Sequence, residues 1–242
     1  MRGVKTYITI KTATWLRGLM VICAIMLTTT AKAQEDPEYL MDAGAGIGMV
    51  GYLGDFNGKL TKCLQPMGTV IARYKLSPRM AVAVDASYGK LKGGSTYTDT
   101  YYPDYANEPY EFNNNLVDAG AHFELNFLPY GTGKEYRGAK RLTPFTTIGI
   151  GATYVWGNDT KSIFTMNIPV GAGVKYKAAD RINVTLQWTA HFSLSDQLDG
   201  RKDPYQVISS GLFKNTDCYH RLMLTITYDI WSKCKVCNNN DD

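Results

Sequence analysis

Long apolar runs are missing from this 242-residue chain. The strongest, residues 19–27, falls well short of the roughly 20 apolar residues that a spanning helix needs, so passage through a membrane as a helix is excluded. A basic surplus is missing too, once the first 33 residues are set aside. Those positions hold five of the 26 lysines and arginines (Arg2, Lys5, Lys11, Arg17, Lys32) and none of the 22 acids, which leaves 21 bases against 22 acids. The alkaline pI therefore belongs to the leader, and nothing favours nucleic-acid binding. Gly44-Ala45-Gly46-Ile47-Gly48, Gly149-Ile150-Gly151 and Gly171-Ala172-Gly173 do not open helices. The context that a phosphate-binding glycine loop requires is absent, and these glycines are expected to make room in a crowded interior or to let strands bend.

What is present first is an export signal over 1–33: a basic start, a short apolar core, and Ala31-Lys32-Ala33 as a small-x-small cleavage site before Gln34. Cys23 follows Ile22, where a lipoprotein site wants a small residue, so it is read as an ordinary signal residue. Residues 34–242 then suit one compact domain with a short C-terminal tail.

That domain alternates. From 181 to 194, Ile182, Val184, Leu186, Trp188, Ala190, Phe192 and Leu194 hold one parity, and Arg181, Asn183, Thr185, Gln187, Thr189, His191 and Ser193 hold the other. A strand sends successive side chains to opposite faces, so the segment has one apolar and one polar face. Eight such segments are predicted, at 39–51, 68–76, 80–89, 116–127, 145–155, 166–177, 182–194 and 219–231. The fold expected is an all-β, eight-stranded antiparallel transmembrane barrel of the outer-membrane type, with lipid outside and polar residues inside. Ser77-Pro78 and Ala178-Ala179-Asp180 are tight periplasmic turns, while 52–67, 90–115, 156–165 and 195–218 form longer outer connections. The connection at 128–144 is long yet falls on the periplasmic side, and Tyr130, Lys134, Arg137, Lys140 and Arg141 make it a candidate docking element, beside the plainer reading of an extended turn.

A barrel of this size is about filled by its own side chains. Asp42, Arg73, Lys75, Asp85, Asp118, His122, Glu124, Lys175, Arg181 and Asp229 share the inward parity and carry both signs, so a paired polar network is expected in the lumen. That argues against a wide solute channel. His122 with Asp118 and Glu124 has the residue types of an acid–base or metal cluster, and His191 lies on the same face. With no matched nucleophile or cleft in view, a buried network is the reading adopted and no catalytic residue, metal or cofactor is assigned.

Of four cysteines beyond the leader, Cys63 and Cys218 fall at the outer end of neighbouring strands and are candidates for a disulfide. Cys234 and Cys237 follow the last strand at the opposite end, as a second candidate pair. An apolar wall of about 25 Å separates the two pairs, which excludes one four-cysteine zinc site. The connection 90–115 is tyrosine-rich (Tyr97, Tyr101, Tyr102, Tyr105 and Tyr110, with Phe112), and is read either as a recognition surface or as an aromatic belt or self-packed loop.

Several stretches are similar to the PorG family of Bacteroidota, outer-membrane barrels of the type IX secretion system. They are Tyr52-Leu53-Gly54-Asp55, Gln65-Pro66-Met67-Gly68, Arg73-Tyr74-Lys75-Leu76-Ser77-Pro78-Arg79, Phe123-Glu124-Leu125-Asn126-Phe127-Leu128-Pro129-Tyr130, Ile168-Pro169-Val170-Gly171-Ala172-Gly173-Val174-Lys175-Tyr176 and Ser195-Asp196-Gln197-Leu198-Asp199. The resemblance spans nearly all of the chain after the leader, in order. It implies a non-enzymatic secretion component in the outer membrane, surrounded by its lipids and associated with a periplasmic ring formed by a lipoprotein and its partner. The alternative is a structural or adhesive barrel working through 90–115, followed by a narrow porin and, last, a barrel hydrolase.

Overall fold

The computed structural model describes residues 36–53, 57, 60–95, 109–133, 138–157, 162–195, 198 and 217–232. Eight strands follow in order: β1 (Tyr39–Leu53), β2 (Gln65–Lys75), β3 (Met80–Gly94), β4 (Glu111–Asn126), β5 (Leu142–Trp156), β6 (Ile163–Ala179), β7 (Ile182–Ser193) and β8 (Cys218–Ser232). Each pairs antiparallel with the next, and β1 pairs with β8, so the sheet closes on itself. Closure leaves no unpaired edge, which is what allows a sheet to sit in hydrocarbon. Tyr39 registers opposite Ser232, so the first and last strands begin and end at the same rim.

Burial follows the parity of the sequence. Along β7, Asn183, Thr185, Gln187, Thr189, His191 and Ser193 are buried while Leu186, Trp188 and Phe192 are exposed. The outer surface is an apolar band that includes Val84, Ile148, Ile150, Met166, Leu224 and Ile226. Tyr88, Tyr154, Trp156 and Phe164 border it at one end, and Tyr74, Phe127, Tyr176, Tyr228 and Trp231 at the other. From Phe164 to Tyr176 on β6 is twelve residues; at about 3.3 Å per residue and a tilt of roughly 40°, the girdles stand about 30 Å apart, a membrane's thickness.

The strand ends joined by 76–79, 127–141 and 180–181 lie at one rim, called here the turn end; the strand ends joined by the other connections lie at the opposite rim, the loop end. In the first turn the Ser77 hydroxyl accepts hydrogen bonds from the amides of Arg79 and Met80, at 3.2 and 3.0 Å. Such a side-chain acceptor fixes a tight reversal. Glycine matters where strands close: a Cβ on Gly46 would stand 2.5 Å from the Leu224 carbonyl oxygen of β8. Most strands run past the bounds read from the alternation: β2, β5 and β6 each start three residues earlier, at Gln65, Leu142 and Ile163, and β1 and β6 each end two residues later, at Leu53 and Ala179. β3 runs on to Gly94 and β4 starts at Glu111, because backbone pairing from Lys90↔Asn115 to Gly94↔Glu111 continues where Lys92, Gly93, Asn113 and Asn114 no longer alternate in polarity. β7 stops at Ser193, with Leu194 just beyond it.

Candidate functional site

The lumen is packed in three tiers. At the loop end an apolar plug holds Val50, Met67, Leu91, Leu116, Val155 and Met223, with Phe112 edge-on to Tyr52 at 5.1 Å. Leu198 is fully buried in this plug; Asn114 donates to its carbonyl at 3.1 Å, and its amide donates to Asp217 at 2.7 Å. Asp217 also accepts the Tyr52 hydroxyl, which ties the chain ahead of β8 to the end of β1.

The middle tier centres on Asp118. One of its oxygens accepts from Tyr219, Asn167 and Thr153 at 2.6, 2.7 and 3.0 Å. Arg221 donates to Asp85 at 2.7 Å and to Ser87 at 2.8 Å, and lies 3.5 Å from Asp118. His191 stacks on Tyr219 with ring centres 4.5 Å apart, and its Nδ1 lies 3.2 Å from Asn167.

The lowest tier, at the turn end, is ionic. The Arg73 Nε donates to both oxygens of Glu124 at 3.0 and 3.1 Å, and its Nη1 donates to Asp42 at 3.2 Å. Lys175 pairs with Glu124 and donates to Asn126 at 3.0 Å. Lys75 pairs with Asp42 and Asp229; Lys177 also pairs with Asp229, and Asn183 donates to Asp229 at 2.9 Å. Together the two polar tiers hold five carboxylates (Asp42, Asp85, Asp118, Glu124, Asp229) and five cations (Arg73, Lys75, Lys175, Lys177, Arg221), each in at least one ion pair. Buried charge is tolerable only when matched in this way.

Of the ten residues expected in the lumen, nine are there. Arg181 is not. It is exposed in the β6–β7 turn, where its Nη1 donates to the Tyr228 hydroxyl at 3.3 Å and its guanidinium lies 5.8 Å from the Tyr39 ring. A register shift between Lys177 and Ala179 ends the parity before Arg181 is reached. Lys177 occupies the lumen instead, and with Asn167, Tyr219 and Arg221 it completes a network that the parity already marked: Lys177 has the parity of Lys175, and Tyr219 that of Arg221. Asp118, His122 and Glu124 do not form one cluster. His122 stands between tiers, with Nδ1 3.4 Å from Asp85 and Nε2 3.8 Å from Glu124, while Asp118 lies 3.8 Å from His191. Among the described residues no group of three or more His, Cys, Asp and Glu could hold a metal ion.

In the connection between β4 and β5, Tyr130 is not a surface residue. It is buried under the lumen, donates its hydroxyl to Asn183 at 2.8 Å and lies 6.0 Å from the Lys177 ammonium. Burial and the nearby Asp229 and Asp42 carboxylates raise its phenol above the ordinary range. The strand-like pairing of Tyr130 with Lys140, and a Thr132 amide bond to Glu38 at 3.0 Å, hold the turn against the base. Gly133 takes a positive φ of 91°, open to glycine at little cost. Lys140 and Arg141 are exposed; Lys134 and Arg137 lie outside the described residues.

Cys63 and Cys218 are free thiols and not a disulfide. Cys63 sits in a left-handed turn within the electrostatic reach of Lys92 and Glu111, whereas Cys218 registers opposite Leu53 and Phe192. The two therefore face different sectors of the rim. Cys234 and Cys237 lie outside the described residues, as do Tyr97, Tyr101, Tyr102 and Tyr105. Of that aromatic group, Phe112 is inside the barrel and Tyr110 packs on it with ring centres 6.5 Å apart.

Among solved structures, the chain is similar to the outer membrane protein OprG of Pseudomonas aeruginosa (8% identity, covering 83% of this chain and all 100% of that one, TM-score 0.48). Neisserial surface protein A is similar at 12% identity, over 78% of this chain and 97% of that one, with a TM-score of 0.46. The N-terminal β-barrel domain of Pseudomonas aeruginosa OprF is similar at 14% identity, over 79% and 98%, with a TM-score of 0.42. No functionally characterised protein in the curated set matches the sequence. One family model matches residues 16–239, nearly the whole chain, and this closed barrel accordingly belongs to the family described as a domain of unknown function, DUF6089.

Proposed function

We propose that this barrel is a non-enzymatic outer-membrane component of the type IX protein secretion system, which holds a periplasmic ring assembly at the membrane. The observation that carries the reading is where the PorG-like stretches come together. Arg73 and Lys75 come from one, Glu124, Asn126 and Tyr130 from another, and Lys175 from a third; all six meet in the tier at the turn end and its cover. The similar residues thus build a packed base under a side-chain-filled lumen, at the rim where β1 begins and β8 ends, which would face the periplasm. A filled barrel conducts little and deforms little, which suits an anchor better than a channel. The leader at 1–33 would export the chain and be removed after Ala33.

The test is deletion of the gene in the native host, with complementation. Type IX cargo should accumulate in the periplasm of the deletion strain and be exported again when the gene is restored. Normal export in its absence would overturn the secretion role. Mass spectrometry of the mature protein's N-terminal peptide should show it starting at Gln34, as glutamine or its pyroglutamate.

A further inference from the structure

We infer that Arg79 of the β2–β3 connection, with Lys140 and Arg141 just ahead of β5, forms a binding site for the phosphate headgroup of an anionic phospholipid. These three side chains are exposed, and among the described residues none is in an ion pair. Every lumen cation, by contrast, is matched.

Backbone bonds bring the three together. The Asn126 amide bonds to the Arg79 carbonyl at 2.7 Å, the Tyr130 amide to Pro78 at 3.0 Å and the Lys140 amide to Pro129 at 2.6 Å. Each guanidinium is held by one backbone carbonyl and keeps other donors free: Arg79 Nη1 donates to Phe127 at 3.2 Å and Arg141 Nε to Thr132 at 2.7 Å. An arginine steadied in this way presents a donor fork suited to phosphate oxygens.

The neighbouring surface points to lipid and not to an acidic protein. Phe127, Leu128 and Leu142 are exposed by 55%, 43% and 52%, and Leu142 registers beside the girdle residue Tyr176. An apolar ledge at girdle level with cations just beyond it matches acyl chain and headgroup in turn. Glu38, which accepts the Thr132 amide, contributes one acid here, and the remaining turn at this end places Asp180 next to Arg181, both exposed, so among the described residues the surplus of positive charge lies in the β2–β5 sector.

The test is native mass spectrometry of the full-length barrel in non-ionic detergent, offered phosphatidylglycerol and phosphatidylcholine in equal amounts. Phosphatidylglycerol should be retained in preference. Each arginine removed should lower its retention about fivefold, so that R79Q/R141Q treats the two lipids alike, while K90Q at the opposite rim keeps the preference. Retained heat-modifiable gel mobility would show that the variants are folded, as expected for exposed positions. Equal retention by the unaltered protein, or an undiminished preference in R79Q/R141Q, would overturn the inference. Undiminished lipid preference with lost cargo export in R79Q/R141Q would overturn it in favour of an acidic protein face. Lost preference with normal export would support it, and the secretion role would still be judged by the gene deletion.

Discussion

The Tyr130 hydroxyl donates to Asn183 Oδ1 at 2.8 Å across the base of the barrel, so a residue from a connection closes a space walled by strands. The ring fills volume and the hydroxyl satisfies a buried amide, and the two contributions are separable. Tyr130→Phe should cost about 1 kcal/mol, one hydrogen bond. Tyr130→Ala should cost about 3–5 kcal/mol, as a buried aromatic is lost. Urea unfolding in lipid vesicles would measure both, and equal losses would mean that the ring is not packed.

Glu124 neutralises Arg73 and Lys175 together. Glu124→Gln leaves Lys175 without its ion-pair partner and Arg73 with Asp42 alone, and should cost about 3–5 kcal/mol. Adding Lys175→Met should recover part of that loss, because the stranded charge goes with it. A double variant as unstable as the sum of the single ones would show that the charges act independently.

Lipid contact predicts depth dependence. Ile148 registers with Val170, midway between Phe164 and Tyr176, and is 58% exposed. Ile148→Arg should cost about 2–4 kcal/mol, and Leu142→Arg at the girdle only about 0–1. Similar costs at both sites would place the membrane elsewhere.

Cys63 gives a topological marker. With Cys218, Cys234 and Cys237 replaced by serine, a membrane-impermeant maleimide should label Cys63 in intact cells, the outcome expected of the proposed orientation with the turn end toward the periplasm. Desolvation by burial pushes this thiol above its ordinary range, so less thiolate is present at neutral pH and the labelling rate should still be climbing at pH values where an ordinary thiol has levelled off. Labelling only after cell lysis would invert the orientation.

The barrel was legible because lipid outside and charge inside impose a period of two on every strand. Legibility failed where that period stopped carrying information. Arg181 kept the inward parity, but the irregularity after Lys177 had already ended the ladder. The ends of β3 and β4 are held by backbone pairing and by Leu91 and Phe112 in the plug, which the run of glycine and asparagine around them does not advertise. Tyr130 looked like a surface residue because nothing local in Pro129-Tyr130-Gly131 announces that the turn folds back beneath the lumen. Pairing partners were the least visible of all: alternation puts Asp118 and His122 on one face, and only the closed shape gives Asp118 to Arg221 and Tyr219 and sets His122 between Asp85 and Glu124.

The matched charges of the lumen have a consequence for how the barrel is made. Asp42, Arg73, Glu124, Lys175 and Asp229 come from β1, β2, β4, β6 and β8, so no pair of sequence neighbours can neutralise the set. Slipping one strand by a single residue would turn its carboxylate or ammonium toward hydrocarbon. A nascent barrel with the seam between β1 and β8 out by one residue would therefore strand charges drawn from several strands at once, a penalty that the native register avoids.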